Sequence, residues 1–317
     1  MWPKLVILCY HRVKNYKSDP VNITVSNENF LNQIKFLKYN AKIIHPQQLF
    51  DSLKHRQNLP KRSVLLTFDD GYSSYGETMQ TLIDNSISAI FFISSRKYKF
   101  WWDVLSSRLL EAKTIKDIDY KIFNKLIKMA GGNFKLEKEL DIKALSKINQ
   151  WKIEDPNFPY NRCRAYKIIA KKMDEINPYE KNEFFFMINN ITKEKRNFSY
   201  LFNNNLIKYH TIGAHTIGHY DLANLSYENQ KEEIEGNKSF LETHIKEKVN
   251  VFSYPFGMQY NYNDDTINLV KNNFQFAFSG FQGLVHKDSN MFELPRFLVR
   301  DWSKNEFQVR LNKFFNI

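Results

Sequence analysis

The sequence predicts an α/β protein, with a parallel sheet or barrel wrapped by helices and interrupted by one helical insertion. Three observations carry this reading. Short apolar and β-branched runs alternate with amphipathic stretches through the first 95 or so residues. The alternation stops at about Tyr98, and lysine-rich helical stretches then follow one another to Arg196 without a convincing buried strand. It resumes after Phe198. At 317 residues, the chain can hold one large α/β domain or two small ones.

In chain order, residues 4–10 read as a first strand that ends in Tyr10-His11-Arg12-Val13. Ser26 is placed as an N-cap, and Phe30, Ile34 and Leu37 recur at helical spacing after it. A short strand is predicted over 41–44, a short helix over 46–53 and a buried strand over 61–68. A helix over 77–85 and a strand over 88–93 complete this part. Five helical stretches are predicted in the insertion: 104–112, 117–129, 135–149, 162–176 and 179–189. Gly131-Gly132, Pro156, Pro159 and Pro178 punctuate them. The insertion opens with Phe100-Trp101-Trp102-Asp103, read as a hydrophobic hinge or, alternatively, a sugar-stacking platform that includes Trp102. After it come strands over 208–212, 249–254, 274–278 and 294–299. Helices over 226–246, 264–272 and 305–315 lie between and after them. The division is therefore a core of 1–97 and 198–317, with an insertion of 98–197.

Composition narrows the classes. A content of 43% hydrophobic and 25% charged residues is that of a soluble globular chain, and no apolar run nears the roughly 18 residues of a bilayer span. The apolar run after Met1 is short and lacks a small-residue cleavage site, so no secretory signal is expected. Cys9 and Cys163 make no disulfide framework, and a reducing, cytoplasmic location is the expectation. The net charge of +12 reads as solvated lysine-rich faces, or as attraction to an anionic membrane leaflet or phosphorylated substrate. No nucleic-acid signature accompanies it.

The chemistry lies in two places. The buried strand Val64-Leu65-Leu66-Thr67-Phe68 runs into Asp69-Asp70-Gly71-Tyr72. Adjacent carboxylates at a strand end repel, and each costs several kcal/mol to bury without a compensating cation or hydrogen bonds. An Asp-Asp-Gly turn is the plain alternative. Far along the chain, His215 and His219 stand four apart after another strand. In a helical first turn, or a loop of similar pitch, that spacing puts both imidazoles on one side. In a parallel barrel the C-terminal strand ends meet on one face. Two imidazoles and a carboxylate there form a three-ligand site with open positions, suited to a Lewis-acidic divalent metal. Zinc is the default, with cobalt, nickel or manganese also admissible.

These motifs resemble those of the polysaccharide deacetylase family, the NodB-homology or family 4 carbohydrate esterases. Thr67-Phe68-Asp69-Asp70-Gly71 is similar to the family's first motif, and His215-Thr216-Ile217-Gly218-His219 to its second. Tyr10-His11-Arg12-Val13 resembles the N-terminal strand of many members. The resemblance covers residues 4–95 and about 198–300, and it implies a distorted (β/α) barrel of seven or eight strands. It further implies Asp69 as general base, Asp70, His215 and His219 as metal ligands, and the Phe256 N–H as an oxyanion donor. Tyr72 and Trp102 join Phe256 as substrate candidates.

Two positions depart from the family's pattern. The third motif has Ser253-Tyr254-Pro255-Phe256-Gly257, with serine in place of the arginine that orients the base. Arg296 can supply a guanidinium from another strand, or it can be a surface or salt-bridged arginine. No clean match exists for the late motif whose histidine protonates the leaving amine. His286 and His11 are the candidates, each with a structural role as the alternative. The implied reaction is hydrolysis of an N-acetyl group on an amino sugar in a polysaccharide, glycolipid or lipid-linked precursor. Deformylation, O-acetyl ester hydrolysis and a non-catalytic glycan-binding barrel are the alternatives.

Overall fold

The computed structural model describes residues 4–179, 182–191 and 193–317. The chain divides into two compact units. One consists of Met1–Asn15, Ile23–Arg96 and Asn197–Ile317, the other of Tyr16–Asn22 and Lys97–Arg196. In chain order the first unit begins with β1 (Leu5–Tyr10), β2 (Arg12–Val13), β3 (Thr24–Val25), α1 (Asn27–Asn40) and β4 (Lys42–Ile43). It continues with α2 (Pro46–His55), β5 (Ser63–Phe68), α3 (Tyr75–Asp84) and β6 (Ile90–Ile93). The second unit holds α4 (Trp101–Leu105), a π-turn at Ser106–Leu110, α5 (Asp117–Met129), α6 (Ile142–Gln150), α7 (Asn161–Asp174) and α8 (Glu183–Ile191). The first unit then resumes with α9 (Asn204–Ile207), β7 (Thr211–Ala214), α10 (Tyr227–Ile245) and β8 (Val251–Ser253). It ends with α11 (Asp264–Asn273), β9 (Phe276–Phe278), β10 (Phe297–Leu298) and α12 (Lys304–Phe314).

The main sheet runs β10-β1-β5-β6-β7-β8-β9, with β4 also on β5, and every pairing in it is parallel. The segment that ends in β10 bridges Leu294 to Phe278 of β9 and then pairs Phe297 with Leu8 of β1. The sheet thereby closes on itself as the (β/α) barrel expected. Residues of β1 and β5 are buried along their whole length, which is why both strands read as mainly apolar runs, with the β5 hydroxyls of Ser63 and Thr67 bonded to the Pro60 and Leu8 carbonyls. Leu5, Ile7, Leu65, Phe92, Val251 and Phe278 belong to one buried cluster. On the opposite side of the strands, Phe68 stacks between Tyr10 at 5.2 Å and Phe91 at 4.6 Å. Because all strands are parallel, their C-terminal ends share one rim, and the side chains that follow them gather there.

Local signals account for most boundaries. Ser26 and Ser226 cap α1 and α10 by accepting the N–H of Asn29 and Asn229. Three expectations shift. The helix predicted over 179–189 is α8, and residues 180 and 181 of that prediction lie outside the described residues. The strand predicted over 208–212 is β7, three residues later, because Asn204–Ile207 forms a helical turn and the Lys208 N–H continues it to the Asn204 carbonyl. The shift places Gly213 inside the sheet, where a Cβ would lie 2.4 Å from the Phe92 ring, and puts His215 immediately after the strand. In the second unit the helix predicted over 135–149 exists only as α6. Its first half is extended, because Arg162, fully buried, donates to the carbonyls of Glu137 and Lys138 as well as Leu109, Ala112 and Lys113. Residues 16–22 join the second unit through the Asp19 and Pro20 carbonyls, which accept from Lys152 and Ile153. Among the described residues no helix is long and apolar enough to cross a membrane.

Candidate active site

The site starts at the end of β5. The Asp69 N–H donates to the Tyr10 carbonyl at 2.9 Å and so extends the strand ladder by one residue. Asp70 and Gly71 then take φ of 82° and 76°, two successive left-handed residues that turn the chain off the rim. Tyr75 donates its hydroxyl to the Asp69 carbonyl, and Tyr200 donates to the Gly71 carbonyl at 3.1 Å. The turn thus points the two neighbouring carboxylates in different directions, Asp69 toward Arg296 and Asp70 toward the histidines, with His215 Nε2 between them at 3.9 Å from Asp69 Oδ2 and 3.5 Å from Asp70 Oδ1.

Asp69 meets Arg296, which lies just before β10. The guanidinium is bidentate, with Nη1 to Oδ1 at 2.7 Å and Nη2 to Oδ2 at 2.7 Å. Its other donors are spent on the Ser279 carbonyl at 2.7 Å, Thr67 Oγ1 at 3.2 Å and Ser253 Oγ at 2.8 Å. Ser253 Oγ in turn donates to Asp69 Oδ2 at 3.0 Å. Both charged side chains are about 2% exposed, so this is a buried pair in which all five guanidinium donors are used and Asp69 keeps acceptor capacity. Burial works against the Asp69 charge, but the Arg296 guanidinium and its hydrogen bonds outweigh it and hold the carboxyl at about 2. The serine in the third motif leaves space for a guanidinium arriving from another strand.

Asp70 meets the histidines. Its Oδ1 lies 3.5 Å from His215 Nε2 and 3.1 Å from His219 Nε2. The ligand atoms of all three residues fall within 4.8 Å of one another, and all three are buried. Ligand atoms around a tetrahedral ion with bonds of roughly 2.0–2.1 Å sit about 3.3 Å apart. The two distances from Asp70 Oδ1 match that edge. His215 Nδ1 bonds the Ser253 carbonyl at 2.7 Å, which makes Nδ1 the protonated nitrogen and leaves Nε2 as the ligating one. Burial holds the His219 ring below its ordinary pKa, with Asp70 only partly offsetting it, and a neutral imidazole is the form that binds metal. Burial opposes the Asp70 charge too, yet the surrounding histidines keep its carboxyl well below the usual carboxylate range. Donor set, tautomer and spacing all fit a divalent cation of zinc type.

The histidines sit on a loop, not a helical turn. Thr216 and His219 take positive φ of 61° and 56°, and the rings meet edge to face at 4.8 Å. Polar side chains buried behind the loop hold this strained path. Asn237 of α10 accepts the His215 N–H at 2.8 Å and donates to the Ile93 carbonyl at 3.1 Å. Glu233, one turn earlier, accepts the Gly218 N–H at 2.6 Å. Arg96 donates to the Gly218 carbonyl at 3.2 Å. Glu233 and Asn237 are absent from the site residues expected from sequence, although they stand four apart beside the apolar stripe of Ile234, Leu241 and Ile245.

Phe256 closes one side. It is the centre of a γ-turn, with φ of 59° and the Gly257 N–H on the Pro255 carbonyl at 2.6 Å. Gly257 has φ of 73°, and a Cβ there would lie 2.3 Å from the Gly280 nitrogen, so only glycine fits. The Phe256 ring stands edge to face on His219 at 4.9 Å and is 46% exposed, a large apolar face beside the ligand set.

The remaining candidates divide. His11 follows β1, and its imidazole lies within 4.8 Å of the Asp69 carboxylate and the Cys9 thiol. Its Nδ1 is buried with no hydrogen-bond partner among the described residues, and burial pulls its pKa down against the two aspartates. Cys9, His11 and Asp69 make a poor second cation site, because Arg296 occupies both Asp69 oxygens and burial keeps the Cys9 thiol protonated. His286 is a correction. It is exposed and follows Val285, which bridges Leu5 at the start of β1, at the opposite end of the strands from Asp69. Tyr72 is 7% exposed, and its ring lies under the Arg12 guanidinium at 5.5 Å, a wall and not an open face. Trp102 is 7% exposed inside the second unit, stacked on Phe100 at 4.3 Å, which is the packing alternative and leaves no free face for a sugar.

A family model described as polysaccharide deacetylase matches residues 56–113 and 171–275, just over half of the chain. The chain belongs to the polysaccharide deacetylase family. The match spans both site motifs and leaves out the middle of the second unit. Among solved structures, the deacetylase PplD of Streptococcus pyogenes, in complex with acetate, is similar at 15% identity. That likeness covers 98% of this chain and 99% of that one, with a TM-score of 0.55. IcaB from Ammonifex degensii is similar at 17% identity over 99% and 97% of the two chains, with a TM-score of 0.55. A de-N-acetylase from Aggregatibacter actinomycetemcomitans is similar at 14% identity over 97% and 99%, again with a TM-score of 0.55. At these identities the likeness is one of fold. No curated protein matches the chain.

Proposed function

We propose that this polysaccharide deacetylase family member is a divalent-metal-dependent hydrolase that removes the N-acetyl group from an amino sugar in a glycan or lipid-linked glycan precursor. The observation that carries the reading is the buried Asp69–Arg296 pair beside the convergent Asp70, His215 and His219. A pure glycan binder has no use for two differently partnered carboxylates at this burial.

A divalent cation, zinc by the donor set, supplies Lewis acidity when held by Asp70, His215 and His219. The chain's own residues do the rest. Asp69 takes a proton from the attacking water as the C–O bond to the acetyl carbon forms. With its pKa held at about 2, Asp69 is ionised across the working range but is a weak resting base, so it serves as a transient carrier. The proton's destination is the more basic leaving amine. His11, neutral and within 4.8 Å of Asp69, takes that proton from Asp69 on an imidazole nitrogen and hands it to the leaving nitrogen as the C–N bond breaks. Acetate and a free amine result. The Phe256 N–H is assigned to the developing oxyanion, and its exposed ring to the apolar side of the substrate.

The charge of +12 favours an anionic substrate such as a lipid-phosphate-linked sugar, met in the cytoplasm at the inner face of a membrane. Metal-loaded protein incubated with N-acetylated chito-oligomers and with a lipid-linked N-acetylamino sugar is expected to release acetate, faster from the lipid-linked substrate. Equal rates on both overturn the lipid-phosphate preference. Formate from an N-formyl sugar, or acetate from an O-acetyl ester alone, replaces the acyl assignment.

A further inference from the structure

We propose that Ser253 is a positioning residue that fixes the base Asp69 and the ligand His215 in one frame. The inference rests on the hydrolase reading above and goes beyond it by naming what sets the geometry between the two halves of the site. Ser253 is the last residue of β8 and is fully buried. Its side chain and its main chain face different halves. The hydroxyl donates to Asp69 Oδ2 at 3.0 Å and accepts from Arg296 Nη2 at 2.8 Å. A serine hydroxyl has one proton and two lone pairs, so both bonds form at once. The carbonyl of the same residue bonds His215 Nδ1 at 2.7 Å and sets the tautomer that turns Nε2 toward Asp70. One residue therefore touches the carboxylate that moves the proton, the guanidinium that orients it and the imidazole beside it.

The surrounding register makes this frame rigid. Phe252, one residue earlier, pairs with Ala214 of β7, the residue before His215. Ser253 itself pairs with Phe278 of β9, the residue before Ser279, whose carbonyl anchors Arg296 Nε at 2.7 Å. His215, Ser253 and Arg296's anchor thus leave three adjacent strands at one level. Without the hydroxyl, Asp69 Oδ2 loses one of its two donors and the buried Arg296 Nη2 loses an acceptor, so the guanidinium fork shifts and carries the carboxylate with it. The barrel, the Ser253 carbonyl and the metal ligands stay as they were.

The experiment compares Ser253→Ala and Ser253→Thr with the wild-type protein loaded with zinc. For Ser253→Ala the expected result is one zinc per chain with unchanged affinity, KM within about twofold, and kcat down by about 10–100-fold. Ser253→Thr, which keeps the hydroxyl, recovers most of kcat. A loss of zinc affinity that parallels the loss of kcat, or no rescue by a folded threonine variant, overturns the proposal. Crystal structures of wild type and Ser253→Ala supply a second arm that does not depend on turnover. The Arg296 fork and the Asp69 carboxylate are expected to be displaced in the alanine variant, and an unmoved carboxylate overturns the proposal. If wild type releases no acetate from any acylated sugar, the functional reading fails, and the structural arm still decides the role of Ser253.

Discussion

Arg296→Met is expected to unsettle both the fold and the activity. The side chain is close in length, but it strips Asp69 of two charge-assisted bonds in a site about 2% exposed. Breaking a buried pair from one side leaves an uncompensated charge and costs about 3–5 kcal/mol. Denaturant unfolding reads that loss. Acetate release is expected to fall by about the 10²–10⁴-fold that a positioned base contributes. Arg296→Lys keeps the charge but not the planar fork, and should recover stability better than rate.

The pH dependence of stability has a definite sign. Folding lowers the Asp69 pKa from 3.8 to about 2. The contribution of this group is therefore complete above about pH 4 and lost as pH falls toward 2. In Arg296→Met that acid-side loss should disappear or reverse, since burial alone raises a carboxyl pKa. A methionine variant as stable as wild type, with the same acid limb, would mean that the pair does not hold Asp69.

Asp70→Asn is the second large effect. The amide keeps the shape of the turn but removes the carboxylate charge that faces both Nε2 atoms at 3.5 and 3.1 Å. Zinc affinity, measured by calorimetric titration, is expected to drop by at least the roughly 100-fold that losing a supporting group alone can cost. Activity should fall with it and return only in part at high zinc. Asp70 has φ of 82°, a conformation that asparagine also tolerates, so the variant should fold. Wild-type zinc affinity in this variant would remove Asp70 from the ligand set.

The barrel was readable because its strands are buried on both faces. β1 and the Val64–Leu66 stretch of β5 are apolar, and such runs between amphipathic stretches have few other homes. The carboxylate and histidine motifs were readable because charged groups at strand ends need a reason. Pairings set by closure of the sheet were harder to read. Arg296 reaches Asp69 only because Leu294–Leu298 joins β9 to β1, and nothing local to Leu294-Pro295-Arg296-Phe297 announces that. His286 misled for the matching reason, since its distance from the site is a matter of which strand end it follows. Ser253 looked like a missing arginine in sequence, whereas in space it is the residue that lets another arginine in. The extended run before α6 was hidden because one buried arginine, Arg162, outweighs a helical apolar pattern.

The division of labour between Asp69 and Asp70 is the centre of the account, and Asp69→Asn tests it most directly. Zinc affinity and acetate release are measured on the same preparations of wild type and variant. The expected result is one zinc bound per chain with equal affinity in both, and a rate about 10²–10⁴-fold lower in the variant. A variant that turns over as fast as wild type, or one that loses its zinc, would contradict the assignment of Asp69 as proton carrier and Asp70 as ligand.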